Sequence, residues 1–509
     1  MGKGRFILIF LVLLLTMIVV PMATGAAQTL SFSLSISDGD VTTSLQPFLA
    51  LRILDRRVIL SDIKITLDGS QVAAAFDKSA NFAWYVPNKP LATGNHVVKF
   101  TIFSPGYKPT EASIRFTVVS GGPAPAIIDN EVTAAIAAAN DWRAEAGLAP
   151  LQANYNLTVS AQRHANYLYI NNGFSHFEDP GKPGFSGKFV RERAMMAGFV
   201  GLSVDEVGTS ESWPVEAAVR RLADAPYHRL AFMDPNLQFV GAGVNWDTNG
   251  QGTASVFLEM AAMKPAADDR IMVYPYPGQT NAPIAWQDFE IPSPLRFSLK
   301  QTGAMVGYPV SVSIHDDQTA ELRTVYAQMT DEKGGAVPVY IVDSSLENDK
   351  VFGQDRKTDL ILIPKKPLTP GTRYSVQVKL IRVLVTGETQ PREIKWSFAT
   401  DPVFFVRFAR IVSLNGTDYF QALSDHGDVP DLTYFLSDHD RLLRVVRDGQ
   451  HYSYSGEKLP NGVYRLEVFS KIFGQAKVFE AVIDGPPEKR QVKLRPLDEP
   501  PRMTPDASP

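Results

Sequence analysis

The chain has 509 residues, a formal net charge of −4 at pH 7, 45% hydrophobic and 20% charged residues, and no cysteine. Such a length exceeds one hydrophobic core and predicts about three or four domains. The lack of cysteine excludes disulfides, thiolate catalysis and Cys-ligated zinc, and in an exported chain it is typical of bacterial secretion. The small negative charge offers no attraction to nucleic acid, so no nucleic-acid partner is expected.

The amino terminus has the pattern of an export signal. Lys3 and Arg5 precede the apolar run Phe6–Val20, and small residues follow up to Ala27. We therefore expect residues 1–27 to be a signal peptide and the protein to be secreted or associated with the cell envelope. The alternative is an uncleaved anchor, because the run approaches the ~18–20 residues that span a bilayer. It would be the chain's only contact with a membrane.

Residues 28–120 alternate apolar and polar positions, as in Ile63–Leu67 before Asp68-Gly69 and again in Val97–Ile102. Short turns separate these runs, which predicts an all-β sandwich. The stretch Leu91–Val98, of the form L-x-x-G-x-H-x-V, resembles bacterial immunoglobulin-like modules. Residues 120–125 have the composition of a linker.

Over residues 126–264 the spacing of apolar residues changes from the alternation of strands to the spacing of helices. One apolar stripe contains Val132 and Ile136, a second runs through residues 157–168, and a third helix is expected to begin near Pro214. Two β runs follow, Phe239–Trp246 and Ala254–Met263, joined by a turn that contains Asn249-Gly250. Helices followed by a hairpin predict an α+β domain.

The remaining chain is predicted to be mostly β. Residues 265–294 are rich in proline and are expected to form an extended connector that packs on its neighbours. Residues 295–400 contain Leu368–Val376 and Trp396–Thr400, which resemble the "L-x-pG-t-x-Y-x-V … W-x-F-x-T" pattern of bacterial Ig-like domains. Residues 401–495 are expected to form a further β-rich domain, and residues 496–509 a disordered tail.

The central region resembles the CAP superfamily, also called the SCP-like extracellular domain, over roughly residues 130–264. The matching stretches are Ala146–Leu151, Ala161–Ala165, Ser175-His176, Ala225–Arg229 and Val240–Val244. The resemblance implies an αβα sandwich whose cleft holds two histidines and one or two acidic residues. The whole chain is therefore expected to be multidomain, with a central α+β CAP-like domain between all-β immunoglobulin-like sandwiches.

The family's cleft residues can be carried over to this sequence at three positions. His176 matches the first cleft histidine and His228 the second, while Glu206 matches the acidic residue of the family's G-E-N motif. The sequence here is Asp205-Glu206-Val207, without the glycine and asparagine, so Glu211 is a competing assignment. A second cleft carboxylate has no clear counterpart, although Glu211 or Asp224 could serve.

Two neutral imidazoles and a carboxylate suggest three uses of such a cleft. His176 and His228 could be metal ligands for a zinc-like ion, with Glu206 completing a ligand site. The same residues could perform acid–base chemistry on activated water. Alternatively, they could brace the cleft through hydrogen bonds alone. His164 falls on a helical stripe and is expected to be a buried core histidine.

The sequence assigns no catalytic residues. It contains no G-x-S-x-G elbow, no H-E-x-x-H and no cysteine nucleophile. These absences favour an exported, envelope-associated binding protein, whose β modules act as spacers or wall attachments. Its cleft would contact a metal, a small apolar ligand or a wall component. A metal-assisted hydrolase of peptides or wall components is the alternative, and an idle cleft on a scaffold is a third possibility.

Overall fold

The computed structural model describes residues 30–503 apart from short internal segments. These segments are 56–57, 59, 106, 211–213, 246–254, 266–269, 297, 300–302, 346–356, 415–416, 424–428, 430–431, 439–440, 444–445, 449–450, 457–458 and 487–489. The leader expected at 1–27, the competing residue Glu211 and the turn at Asn249-Gly250 lie outside the described residues. Within the described part of the chain, no helix has the length and hydropathy needed to cross a membrane.

The first domain is the predicted β-sandwich, built from two facing sheets. One sheet has the order β1-β3-β7-β6 and the other β2-β9-β8-β4-β5. Burial alternates along Gly94–Phe103 and Thr110–Val118, so one face of their sheet supplies the core, whereas every residue of Leu49–Ile53 in the other sheet is buried. The strands are β1 Phe32–Leu34, β2 Val41–Thr42, β3 Leu49–Ile53, β4 Asp62–Leu67, β5 Ser70–Val72, β6 Ala75–Asp77, β7 Phe82–Tyr85, β8 Gly94–Phe103 and β9 Thr110–Val118.

The second domain is α+β, as its change of period predicts. Its elements are α1 Asp129–Glu145, β10 Gln152–Ala153, α2 Tyr155–Ile170, α3 Val190–Met196, β11 Ser203–Thr209, α4 Val215–Asp224, α5 Pro226–Phe232, β12 Phe239–Asn245 and β13 Ser255–Ala262. The sheet has the order β10-β12-β13-β11. Helix α2 begins after Asn154, whose side chain accepts hydrogen bonds from the backbone N–H groups of Asn156 and Leu157.

Helices cover both faces of this sheet, giving the expected αβα sandwich. Helices α1, α4 and α5 share a core with Val240, Ala242 and Leu258 on one face. Helix α2 lies on the other face, where it packs against Phe257. Its backbone passes so close to β12 that a Cβ added at Gly243 would lie 2.2 Å from the carbonyl carbon of Ala161. The small residues of the Val240–Val244 stretch therefore make room for α2.

The third domain contains three small sheets, β14-β17-β20-β19, β18-β21-β22 and β15-β16. Its strands are β14 Ile271–Tyr274, β15 Ala285–Gln287, β16 Met305–Gly307, β17 Val310–Ile314, β18 Thr319–Asp331, β19 Val339–Val342, β20 Asp359–Pro364, β21 Arg373–Leu384 and β22 Thr389–Ala399. Strands β14 and β15 lie within the proline-rich segment 265–294. That segment is thus more than an extended connector, because β14 pairs with β17 and β15 with β16.

The fourth domain is dominated by one sheet of order β26-β25-β29-β30-β31-β23-β24-β28-β27. Its strands are β23 Phe408–Leu414, β24 Thr417–Leu423, β25 Leu432–Asp438, β26 Arg441–Leu443, β27 Val446–Asp448, β28 His451–Gly456, β29 Gly462–Ser470, β30 Gln475–Asp484 and β31 Gln491–Leu497.

The structure describes residues 496–503 of the tail that the sequence predicts to be disordered. Strand β31 continues to Leu497, and the backbone N–H groups of Arg502 and Met503 donate to the buried carboxylate of Glu467. These hydrogen bonds hold residues 498–503 against the sheet, although their proline-rich composition resembles that of a disordered segment.

The first three domains contact one another directly. The core of the second domain continues into the third, where the rings of Trp142 and Tyr274 are 4.9 Å apart. Met195 of α3 packs into the core of the first domain. An ion pair between Arg52 and Asp317 joins the first domain to the third. The central domain therefore packs against both the first and the third β domain.

Candidate functional site

His176 lies in the loop between α2 and α3. The backbone N–H of Phe177 donates to the Ser175 hydroxyl and stabilises a turn at this residue. Its Nδ1 is 3.0 Å from Oε1 of Glu206 on β11, and 27% of the His176 side chain is exposed. The phenyl ring of Phe174 lies edge-on to the imidazole, with 6.4 Å between the ring centroids. The structure thus brings together the first histidine and the carboxylate that the sequence analysis selected.

Glu206 is ionised because the positive charge of Arg193 offsets the effect of burial on the pKa of its carboxyl. Burial alone would raise the pKa of the Glu206 carboxyl, but the charges of Arg193 and His164 and the hydrogen bond from His176 outweigh it and lower the pKa to about 2. The Arg193 guanidinium on α3 donates to Oε2 at 2.5 Å, and both side chains are almost wholly buried. Since an ionised carboxylate only accepts, Nδ1 of His176 donates, and in the neutral imidazole the lone pair would lie on Nε2.

His228 occupies the first turn of α5, whose first residue is Pro226. Its ring centroid is 6.4 Å from that of His176. Its Nδ1 contacts Oε1 of Glu290 at 2.6 Å. Both histidines therefore have Nδ1 held by a buried carboxylate, and the two rings are close enough for one ion or one small molecule to contact both.

Of the two other carboxylates proposed from sequence, the structure describes only Asp224. Asp224 accepts a hydrogen bond from the Tyr308 hydroxyl at 2.6 Å, at the border with the third domain. Glu211 lies outside the described residues. The carboxylate at His228 is instead Glu290, which sequence reasoning missed. Nothing in the family's motifs indicates it, because it lies beyond the region of resemblance.

A second layer of polar residues lies behind His176. His164 is fully buried, as expected, with Nδ1 2.9 Å from Glu178 and Nε2 2.9 Å from the Ser175 carbonyl oxygen. Glu259 on β13 pairs directly with Glu206 across the sheet and accepts a hydrogen bond from Ser160. Burial and the neighbouring charge of Glu206 raise the pKa of Glu259 well above its usual range.

The site fits a metal only in part. Among the residues that the structure describes, no three His, Asp or Glu side chains are grouped so as to hold an ion. The physical reason is that Glu206 and Glu290 contact the Nδ1 atoms of the two histidines, and therefore do not share an ion with the Nε2 atoms. His176 and His228 could supply two ligands through Nε2, with carboxylates orienting them from the outer shell. The remaining positions on a tetrahedral zinc ion would then be open to water or to a bound molecule.

The αβα layering is the one expected of a domain of the CAP type. Residues 136–258 match the family model described as CAP, the cysteine-rich secretory protein family. The chain thus contains a CAP domain between β domains. None of the curated proteins matches the chain.

Several solved structures are similar to parts of the chain. An outer surface protein from Borrelia burgdorferi is 15% identical over 26% of this chain and 94% of its own length, with a TM-score of 0.23. An extracellular protein containing a SCP domain, from Bacillus anthracis strain Ames, is 13% identical over 34% of this chain and 62% of its own, also with a TM-score of 0.23. The insect immune protein hemolin is 10% identical over 88% of this chain and 98% of its own length, with a TM-score of 0.16. At these TM-scores the likenesses carry no further argument.

Proposed function

We propose that the protein is an exported, envelope-associated binding protein whose CAP cleft takes a zinc-like metal ion or a small molecule between His176 and His228. The observation that carries this proposal is the geometry of the pair. The two rings lie 6.4 Å apart, and each Nδ1 is in contact with a buried carboxylate. Contact of each Nδ1 with a carboxylate orients the ring so that, in the neutral imidazole, Nε2 carries the lone pair that binds a metal.

The surrounding residues extend the proposal to the kind of ligand. Phe174 is 43% exposed beside His176 and also contacts Phe257 of the sheet. An exposed aromatic ring beside two imidazoles suits a ligand with one polar group and one apolar part. The β domains would attach the CAP domain to the wall or envelope, and the charged and apolar leader of residues 1–27 would direct export.

Isothermal titration of the full chain with zinc tests the binding proposal. We expect binding of one ion, and loss of at least tenfold in affinity in the double variant His176→Ala/His228→Ala. His96→Gln is the matched control, because this histidine lies in the first domain with both ring nitrogens hydrogen-bonded. Equal affinity in the wild-type protein and the double variant would reject these two ligands.

A metal-assisted hydrolase using the same cleft is the second candidate. The neutral imidazoles that would bind an ion could equally accept a proton from water. Incubation of the full chain with peptidoglycan and with peptide libraries separates the two functions. Turnover that disappears in His228→Ala and persists in His96→Gln would support the enzyme, and no turnover in the wild-type protein would leave the binding function.

Export is tested by expressing the chain with its leader in a bacterial host and fractionating the cells. We expect the protein in the envelope or medium. Recovery in the cytoplasmic fraction alone, with a functional control signal exported in parallel, would contradict the proposed location.

A further inference from the structure

The contact between Glu290 and His228 crosses from the CAP domain into the sequence that follows it. The carboxylate of Glu290 accepts hydrogen bonds from the backbone N–H groups of Tyr227 at 3.1 Å and His228 at 2.8 Å. The same carboxylate contacts Nδ1 of His228 at 2.6 Å, and its side chain is fully buried. Two backbone N–H groups and one ring nitrogen therefore converge on one carboxylate that lies outside the matched region 136–258.

The third domain holds Glu290 in place. Gln287, at the end of β15, pairs with Met305 of β16, and the backbone N–H of Asp288 donates to the Ala304 carbonyl oxygen at 3.0 Å. The hydroxyl of Ser293 donates to the Asp288 carboxylate at 2.5 Å. Hydrogen bonds on either side of Glu290 thus fix the backbone that carries it.

The third domain is also fastened to the helix that carries His228. The next residue of α5, Arg229, donates to the Pro309 carbonyl oxygen at 2.7 Å and lies over the ring of Tyr308, 4.6 Å from its centroid. Arg296 donates to the Tyr227 hydroxyl at 3.1 Å. Residues on both sides of His228 therefore contact the third domain, and Glu290 cannot shift without disturbing this border.

From these contacts we infer that Glu290 is a positioning residue for His228, and that the cleft is a composite of the CAP domain and the third domain. Because the Glu290 carboxylate accepts from Nδ1–H, it orients the ring and leaves the lone pair on Nε2, in a ring whose centroid lies 6.4 Å from that of His176. It is the counterpart of Glu206, which does the same for His176. The third domain is thus part of the site, in addition to any role as a spacer.

The orientation part of this inference is independent of what the cleft binds, whereas its effect on ligand affinity depends on the proposed function. Ring-nitrogen NMR of the full chain with ¹⁵N-labelled histidine measures the tautomer of His228 directly. We expect the proton on Nδ1 in the wild-type protein. A proton on Nε2 would overturn the inference without any variant being made.

Two variants then separate positioning from folding. Glu290→Gln keeps an oxygen acceptor for Nδ1–H and should retain the tautomer, whereas Glu290→Ala should give a mixture of the two tautomers. Glu393→Ala, which removes an exposed carboxylate of the third domain, is the control. An unchanged single tautomer in folded Glu290→Ala would overturn the inference. If Glu290→Ala does not fold, Glu290→Gln decides: retention of the Nδ1–H tautomer supports the inference, and a mixture of tautomers or a proton on Nε2 overturns it.

Zinc titration completes the experiment. If the wild-type protein binds zinc, Glu290→Ala should lose about 10–100-fold in affinity, as loss of an outer-shell partner usually does. If the wild-type protein does not bind zinc, the proposed metal function fails while the tautomer measurement still tests the role of Glu290. Wild-type affinity in a Glu290→Ala protein whose tautomer has changed would show that the orientation does not matter for binding.

Discussion

Glu206 and Glu259 are paired directly across strands β11 and β13, and both are buried. Their pKa values move in opposite directions. The charge of Arg193 overcomes burial at Glu206 and lowers its pKa to about 2, whereas burial and the charge of Glu206 raise that of Glu259 well above its usual range. Two buried carboxyl groups at paired strand positions thus divide into an ionised partner for Arg193 and a group that favours its protonated form.

The Glu206–Arg193 pair should make the CAP domain sensitive to acid. A carboxyl whose folded pKa falls from 4.5 to about 2 contributes about 3 kcal/mol above pH 4.5 and loses it as the pH falls toward 2. Glu206→Gln leaves Arg193 buried without its ionised partner and should destabilise the domain by about 3–5 kcal/mol at pH 7. Hydrogen exchange of amides in α2 and β13 measures this. A difference between the two proteins that stays constant from pH 7 to pH 3 would contradict the assignment.

Glu259→Gln should stabilise the CAP domain at neutral pH. A carboxyl with a raised folded pKa loses stability as the pH rises above its unfolded value, at up to about 1.4 kcal/mol per pH unit. Glutamine resembles the protonated acid and removes this dependence while keeping an oxygen to accept from Ser160. The measurement is the same amide exchange between pH 5 and pH 8. Glu393→Gln on the exposed surface is the control. A Glu259→Gln protein that is less stable than the wild type from pH 5 to pH 8 would contradict the prediction.

Gly243→Ala should disrupt the packing of α2 on the sheet. The new Cβ would lie 2.2 Å from the Ala161 carbonyl carbon, where only movement of backbone can relieve the overlap. We expect a loss of about 1–3 kcal/mol or more, seen as a lower Tm for the CAP domain. Gly121→Ala is the control, because there the nearest atom, Cβ of Thr43, would be 3.8 Å away. Equal Tm values for the two variants would show that α2 does not approach β12 this closely.

Arg229→Lys should loosen the border between the CAP domain and the third domain. Lysine keeps the charge but lacks the planar group that lies between Tyr274 and Tyr308 and donates to Pro309. Loss of these charged hydrogen bonds should cost about 1.5–3 kcal/mol. Limited proteolysis should then cleave faster within residues 265–294, whereas Arg323→Lys on the exposed face of β18 should not change the rate. Unchanged cleavage in Arg229→Lys would contradict the role of this residue.

Much of the fold could be predicted because its signals are local. Apolar spacing indicated α1, α2 and α4, and alternation indicated the strands of the first domain. The strands of the third domain were indicated by the resemblance of Leu368–Val376 and Trp396–Thr400 to bacterial Ig-like domains. The pairing of β14 and β15 with strands of the third domain was missed. The proline-rich composition of residues 265–294 indicates extended backbone, and extended backbone is compatible with either a connector or an edge strand.

The site was predictable where the family resemblance covered it and not elsewhere. His176, Glu206 and His228 come from three separate segments, and the structure places Glu206 in contact with His176 and the His228 ring 6.4 Å from that of His176. Arg193 was missed because a charged residue in a short helix is usually exposed. Glu290 was missed because its contact with His228 joins residues 62 positions apart in different domains, and no local pattern encodes that distance.

The border between the second and third domains determines how this protein can be dissected. Tyr274, Trp286, Leu295 and Tyr308 belong to the same buried cluster as Trp142 of α1. A recombinant piece ending at residue 264 would expose that apolar surface to solvent and invite aggregation. The smallest soluble fragment should therefore retain the β-sheet region up to residue 400. The soluble yield of truncated chains would then report whether the second and third domains share one hydrophobic core.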